Sequence, residues 1–465
     1  MKKLIEGVDF SFRSSSRQDS LGRKANERLE DGTETFLRAL WPGKENWFAE
    51  LRNSNSFRDL VLRGLLEDEV PDPEAVIDGY GLILRQKKLP FWLKAWKVPL
   101  DRRFAMAASW LEINLRLADD GLGLRDAHTS NWGFSHCQQP VWVDVGSVVN
   151  LETGLEGLEE FRAWHTRPLS LALKRPSWIL DYLSKPISRV QSISLTFPRL
   201  VKPSSPFSRF LRHDDIVMKI MRRFVPTLFQ KLAMPYRRLI LTFWMHRIRR
   251  WSRREVTTGL WSDYRRPSKT SNVSSPVVDS SQPHEEEGRK RTILRLISQS
   301  EAEVILDIGA NDGWLIFESL QEGKTFWAVD PDHGAISKFT RNLAARVTSR
   351  SIKVCGAVDS FAETDARADL VVALALTHHL FLSQGLEFRQ IAARLGELAS
   401  KEVIVEFMPW GLAVSGQLEA DNASLPEGYS LDNFVEAVRE YFPVIDTYSP
   451  RMENPPRIIV HGRKV

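Results

Sequence analysis

Ten residues carry the strongest chemical signal in this sequence: Val304 to Gly313, VILDIGANDG. An apolar strand leads to Asp307, and Gly309 and Gly313 bracket Asn311 just before a helix begins. The chain must turn sharply there and let a ligand approach its backbone, and glycine permits both. The helix that follows presents free N–H groups at the same place. The next strand ends on Asp330, 23 residues after Asp307, where a carboxylate can accept both hydroxyls of a ribose. A third acid, Asp359, follows in GAVDSF, and a fourth apolar strand runs straight into Thr377-His378-His379. A histidine beyond the carboxyl end of a strand can deprotonate a hydroxyl or amine nucleophile. It can equally cap the next helix or pack against a cofactor edge. Glu406, in VEFMP, is the second acid–base candidate, with a structural or substrate-shaping role as its alternative.

Elements of the right kind flank these residues. Helix RKRTILRLISQ leads to strand EVILDIG, and helix WLIFESLQ to strand TFWAVD. Helix HGAISKFTRNLAARV, then strands SIKVCGA and ADLVVALAL, come next. Helix LEFRQIAARLGELAS precedes strand EVIVEFMP, and helix LDNFVEAVREYF precedes PVIDTYS and PRIIVHGR. Strands separated by helices of this length predict a parallel, doubly wound, Rossmann-like α/β sheet. The short loop PRMENP lets the last two strands pair as an antiparallel hairpin.

The glycine spacing is not G-x-G-x-x-G, which argues against an NAD-type site. A plain strand-to-helix turn without a ligand is the other alternative. The segment resembles the first motif of class I S-adenosylmethionine-dependent methyltransferases, D/E-x-G-x-N/G-x-G. The resemblance covers about residues 290–465. It implies that Asp307, Gly309, Asn311 and Gly313 surround the amino-acid part of S-adenosylmethionine, that Asp330 holds the ribose, and that Asp359 lies on the adenine side. It implies a methyltransferase whose acceptor is a small molecule or glycan-type metabolite. Methyl transfer of this kind can run on alignment and proximity alone. Ala-Leu-Thr-His-His stands where an N-P-P-Y-like segment would follow strand four, which disfavours amide or exocyclic-amine methylation of that type.

A second constellation lies in the front half. Residues 122–147 read LGLRDAHTSNWGFSHCQQPVWVDVGS, with Asp126 and Asn131 five apart and Asp144 18 after Asp126. This resembles the catalytic segment of kinase-like folds, D-x-x-x-x-N, a hairpin, then D-x-G. The resemblance implies Asp126 as base, with Asn131 and Asp144 on Mg²⁺. Leu124 replaces the usual histidine, no glycine-rich loop lies upstream, and only Lys87 and Lys88 after GLILRQ offer a strand lysine. Phosphotransfer by the 126–146 loop, a silent or positioning module, and an unrelated turn all remain open. Together with Trp-Ser-Asp-Tyr at 261–264, the layout is similar to rhizobial nodulation-type two-part methyltransferases.

The 465 residues are 43% hydrophobic and 26% charged, as in an ordinary globular chain. The net charge of +5 is uneven: residues 161–270 hold 24 Lys plus Arg against 5 Asp plus Glu, or +19. Nucleic acid or a membrane surface could use that segment, and an adaptor role is a third reading of the protein. Helices with arginine on their outer faces are the favoured account. Within it, residues 228–254 read as basic helices that Pro235 divides. Cys137 and Cys355 give no disulfide framework and no cysteine zinc site, and no metal is expected. With no apolar leader and no run of about 18 apolar residues, a cytoplasmic protein is expected. The domains expected are a polar, loosely ordered 1–36, a mainly helical and kinase-like 37–266, a linker 267–288, and a cofactor-binding 289–465.

Overall fold

The structure, a computed structural model, describes residues 3–4, 21–28, 34–152, 154–174, 183, 185–188, 191, 226–254, 283–411, 425–449 and 457–465. The Trp261–Tyr264 segment and most of the expected linker lie outside them. The chain divides into two compact units, residues 1–135 with 139–256, and residues 136–138 with 257–465.

In the first unit, strands β1 (Gly22–Arg28), β2 (Glu34–Leu40), β3 (Val70–Asp72) and β4 (Ile83–Lys87) form an antiparallel sheet, ordered β1-β2-β4-β3. Helices α1 (Glu45–Asn53) and α2 (Asn55–Leu62) lie between β2 and β3 in sequence. Two expectations are corrected here. Beside its helices the unit holds an antiparallel sheet that the helical pattern did not predict, and residues 22–28 and 34–36 are strand, not loosely ordered. GRKANER is made largely of weak strand formers, so the ladder with β2 decides its conformation, not propensity. The apolar face of the sheet is also narrow, with Leu37, Ala39 and Ile83 at its core.

Helix α3 (Leu100–Leu117) follows as expected, then β5 (Leu122–Leu124), β6 (Trp132–Phe134), β7 (Pro140–Trp142) and β8 (Val148–Asn150). β6 pairs with β7 and β5 with β8, both antiparallel. Helix α4 (Leu158–Phe161) passes through a π-helical stretch, Arg162–Thr166, into α5 (Arg167–Lys174).

The basic stretch resolves into a single long helix over its described part, α6 (Pro226–Ser252), which continues through Pro235. The expected break does not occur. An interior proline costs about 3 kcal/mol, and packing outweighs it. Ala233, Arg237, Leu241, Met245, Ile248 and Trp251 are buried at spacings of three and four, and α6 packs on α3. Arg237 is itself fully buried and donates to the Gly154 and Glu156 carbonyls and to Asn114 Oδ1. Arg238, one position on, is exposed and pairs with Asp119. The arginines of this helix thus serve two purposes, one structural and one solvated.

In the second unit, helix α7 (Pro283–Gln299) starts inside the expected linker, so residues 283–288 are helix. Strands β9 (Val304–Ile308), β10 (Thr325–Asp330), β11 (Lys353–Val358), β12 (Ala368–Ala373) and β13 (Ala399–Phe407) are parallel. Helices α8 (Trp314–Ser319), α9 (His333–Arg346), α10 (Phe388–Leu398) and α11 (Leu431–Arg439) intervene. The closing hairpin is present: β14 (Val444–Tyr448) pairs antiparallel with β15 (Ile458–Arg463), which pairs antiparallel with β13. The sheet order is β11-β10-β9-β12-β13-β15-β14. Chain progression reverses between β9 and β12, and open α/β sheets bind ligands at such a point, beyond the strand carboxyl ends. The core holds Ile305, Phe326, Val354, Leu370 and Ile404, and Cys137 and Cys355 are buried without a disulfide. Residues 136–138 belong to this unit: Val354 N–H donates to the His136 carbonyl, and the Gln138 amide both accepts from and donates to Gly356. Among the described residues no helix is long and apolar enough to cross a membrane.

Arg237→Met should lower stability by about 3 kcal/mol, because it strands buried acceptors that each cost about 1–3 kcal/mol. Arg238→Met should change it by less than about 1 kcal/mol, as an exposed pair does. Urea unfolding of both variants checks the contrast, and equal losses would contradict the assignment of Arg237 to the core.

Candidate functional site

The turn after β9 is built on three left-handed residues, Gly309 (φ 79°), Asn311 (φ 50°) and Gly313 (φ 76°). Gly309 and Ala310 donate their N–H groups to the Val329 carbonyl, which sews the turn to β10. Gly313 caps α8, and a Cβ there would lie 2.0 Å from the Phe339 ring. Gly309 is different. A Cβ on it would meet a single atom within 4 Å, Leu376 Cδ1 at 3.9 Å. Gly313 is required by close packing, whereas Gly309 borders open space.

Asp330 ties two turns together. Its Oδ2 accepts the Asn311 N–H at 2.9 Å and its Oδ1 accepts the Asp332 N–H at 2.8 Å. A carboxylate offers about four lone-pair directions, so each oxygen keeps capacity for a further donor. Asp359 follows β11; its N–H donates to the Asp330 carbonyl, and its Oδ1 accepts from Ser360 N–H. Asp307 is buried within β9, between β10 and β12. Burial, and then the neighbouring Asp330 charge, push its carboxyl up to about 8. Burial likewise raises Asp330 to about 6, against the pull of its two backbone donors. The structure therefore gathers Asp307, Gly309, Asn311, Gly313, Asp330 and Asp359 at one edge of one sheet.

The loop after β12 faces the same turn through Leu376. Its Ala375 is left-handed (φ 50°), an unusual state for alanine that surrounding contacts must hold. Ala375 N–H donates to the Glu406 carboxylate, and Thr377 Oγ1 donates to the Glu406 carbonyl at 2.7 Å. His378 is 4% exposed, and its Nδ1 is buried without a hydrogen-bond partner among the described residues. Burial and then His379 depress it to about 3, so the ring is neutral near pH 7. The His379 ring lies 4.1 Å away, and burial lowers its pKa as well.

Glu406 sits elsewhere in chemical terms. It is 0% exposed and takes both Nε and Nη2 of Arg289, with Arg457 Nη1 at 3.4 Å from Oε2. Burial alone would raise its pKa, but the two guanidinium groups hold it below the usual range. A carboxylate so committed is a poor proton acceptor. Its geometry makes it a support for the 375–377 loop. Sequence reasoning missed Arg289, Arg457 and Ala375, since Arg289 lies 117 residues from Glu406 and no spacing links them.

The loop of the first unit has its own geometry. Asp126 is left-handed (φ 58°), its N–H donates to Glu160 Oε2, and Asn131 Nδ2 donates to the Asp126 carbonyl. Burial, then the charges of Asp144 and Glu160, raise the Asp126 pKa. Asp144 Oδ1 accepts from Arg38 at 2.7 Å and lies 3.2 Å from Lys24 Nζ, while Arg38 also pairs with buried Glu69. Burial acts to raise Asp144, yet the two cations hold it near 2. The positive charge that Mg²⁺ would bring to Asp144 is already supplied by the chain, and Asn131 is turned to a carbonyl. These residues do not fit a resident divalent cation. No group of three or more His, Cys, Asp or Glu able to hold a metal occurs among the described residues.

No family model matches the chain, and no curated protein matches it. Solved structures of S-adenosylmethionine-dependent methyltransferases do. Magnesium protoporphyrin IX methyltransferase from Synechocystis PCC 6803, with bound S-adenosylhomocysteine, is 13% identical over 39% of this chain and 85% of its own, with a TM-score of 0.32. The N-methyltransferase NodS from Bradyrhizobium japonicum WM9, in complex with S-adenosylhomocysteine, is 14% identical over 40% of this chain and 89% of its own, with a TM-score of 0.31. The N-terminal domain of EvdMO1, with S-adenosylhomocysteine and D-fucose, is 17% identical over 40% of this chain and 85% of its own, with a TM-score of 0.29.

Asp307 and Asp330 have folded-state pKa values above the unfolded value of 3.8. Their protonated forms favour the fold, so their contribution is complete below about pH 4 and is lost as pH rises through about 6 and about 8. The unliganded protein should therefore lose melting temperature between pH 5 and pH 8, and Asp307→Asn should flatten that slope. Calorimetric scans across this range test it; identical slopes in the two proteins would show that Asp307 ionises as freely folded as unfolded.

Proposed function

We propose that the second unit binds S-adenosylmethionine and transfers its methyl group to a small-molecule acceptor. One observation carries the reading: Asp330, a carboxylate anchored by two backbone N–H groups, stands next to the open side of a left-handed Gly309 at the sheet's reversal point. An open space that a Cβ would fill, beside a carboxylate with spare lone pairs, fits a ribose and the chain attached to it. When bound, S-adenosylmethionine supplies a methyl group on a sulfonium, which an acceptor lone pair displaces to leave S-adenosylhomocysteine and a proton to be shed.

The chain's own residues hold and orient. Asp330 accepts hydroxyl donors, Asp307 lies where a cationic group restores its ionised form, and Asp359 extends the acid edge. The 375–379 loop presents the acceptor to the turn. His378 and His379 act there as neutral imidazoles. A His378 conjugate acid with a pKa of about 3 does not retain a proton near pH 7, so His378 directs an acceptor lone pair and does not store its proton. Glu406 positions this loop through Ala375 and Thr377.

Titration calorimetry with S-adenosylhomocysteine tests the reading. One saturable site is expected, and Asp330→Ala should weaken it about tenfold to a hundredfold, from lost charged hydrogen bonds of about 1.5–3 kcal/mol. Far-ultraviolet circular dichroism should show the variant folded. Gly309→Val should also lose binding, since it fills the open side and strains φ. ATP with Mg²⁺ should give no saturable heat, as the Asp144 contacts imply. Failure of the wild-type protein to bind S-adenosylhomocysteine sinks the proposal.

A further inference from the structure

The acceptor side of this unit carries a cluster of charge. Glu406 is one buried carboxylate, and it faces two guanidinium groups, Arg289 and Arg457. Arg289 grips it with two donors. Arg457 touches it through Nη1 alone, at 3.4 Å, and that is its one hydrogen-bonded partner among the described residues. A guanidinium has five N–H donors in a fixed fork suited to carboxylate and phosphate. The Arg457 side chain is 29% exposed, so most of that fork is uncommitted yet partly shielded from water.

Its placement is informative. Ile458 pairs with Phe407 at the carboxyl end of β13, so Arg457 stands at the sheet edge that carries the Gly309 turn and the 375–379 loop. His378 lies within electrostatic range of Arg457 and Glu406. The imidazoles here are neutral, so they do not compete with an anion or attract one by charge. Because Arg289 grips the Glu406 carboxylate with two donors, that carboxylate meets the Arg457 guanidinium through one long contact only.

We infer that Arg457 binds an oxyanion, a carboxylate or phosphate group, on the methyl acceptor. Glu406 holds the guanidinium in place by one corner and leaves the remaining donors for the substrate. The inference rests on the proposed methyltransferase reading, whose acceptor it narrows to an anionic small molecule. A charged pair in such partly desolvated surroundings is stronger than one at an open surface.

The test uses full-length protein, first titrated with S-adenosylhomocysteine to establish cofactor binding. The loaded protein, labelled with ¹⁵N-histidine, is then titrated with inorganic phosphate and, separately, with acetate. The side-chain resonances of His378 and His379 are followed. Saturable shifts with at least one anion are expected, and the anion that binds more tightly identifies the acceptor group as phosphate or carboxylate. Arg457→Gln should weaken that binding about tenfold, while Arg457→Lys keeps it within about threefold and both retain S-adenosylhomocysteine affinity. No saturable shift, or equal anion affinity in wild type and Arg457→Gln, overturns the inference and leaves cofactor binding standing. Loss of anion binding together with S-adenosylhomocysteine affinity in Arg457→Gln also overturns it, by assigning Arg457 to the fold. If wild-type protein binds no S-adenosylhomocysteine, the broader proposal falls and this inference with it.

Discussion

Two backbone N–H groups converge on one carboxylate, and the geometry of this sheet edge follows from that. Asp330 fixes the turn after β9 through Asn311 and the turn after β10 through Asp332. The Asp332 side chain in turn caps α9 by accepting from Gly334 and Ala335. A buried acceptor that receives two donors is satisfied, but its charge is not neutralised by N–H groups alone. That is why its pKa rises even while both oxygens are hydrogen-bonded. Asp307 beside it, deeper in the sheet, shares the same problem more acutely. The edge is thus organised and electrostatically unfinished. A cationic or multiply hydroxylated ligand would relieve what the fold leaves uncompensated.

Glu406 solves the same physical problem in the opposite way. It is buried at least as deeply, yet Arg289 and Arg457 keep it ionised. Breaking a buried pair by removing one partner typically costs about 3–5 kcal/mol. Such a pair suits a fixed support, and Glu406 is used as one: it holds the left-handed Ala375 and, through its carbonyl, Thr377. Within one sheet, the acids of β9 and β10 have no arginine partner among the described residues, while the acid near the end of β13 is closed by arginine. Residue type alone would rank all three as equal acid–base candidates. Their partners separate them.

That separation marks how far the sequence could be read. The α/β alternation of the second unit and its closing hairpin were legible because apolar period, glycine and chain order all point the same way. The clustering of Asp307, Gly309, Asn311, Gly313, Asp330 and Asp359 at one sheet edge was legible because they follow strand ends at short sequence spacing. The role of Glu406 was not, since Arg289 is remote in sequence and a lone glutamate carries no signature. The first unit was harder for a different reason. Its β1 is charged and poor in strand formers, so pairing with β2 overrides propensity. The kinase-like spacing of Asp126, Asn131 and Asp144 was visible, while the two cations that occupy Asp144 sit on strands the sequence did not disclose.

Part of the charge excess of residues 161–270 is spent on contacts within the fold. A +19 segment invites an anionic partner. Arg237 belongs to that sum, yet its side chain is buried and spends its donors on two carbonyls and an amide oxygen. Arg247 lies over the Trp244 and Trp251 rings, and Arg238 pairs with Asp119 across to another element. Each of these contacts uses a property of arginine that charge counting ignores: the planar fork, the stackable face, the long apolar stem. The same properties make Arg38 a fitting partner for Glu69 and Asp144 in the first unit, and Arg289 for Glu406 in the second. Arg38, Arg237 and Arg289 are thus devices for burying carboxylates and carbonyls. Arg457 matters because its one long contact leaves that device only partly used.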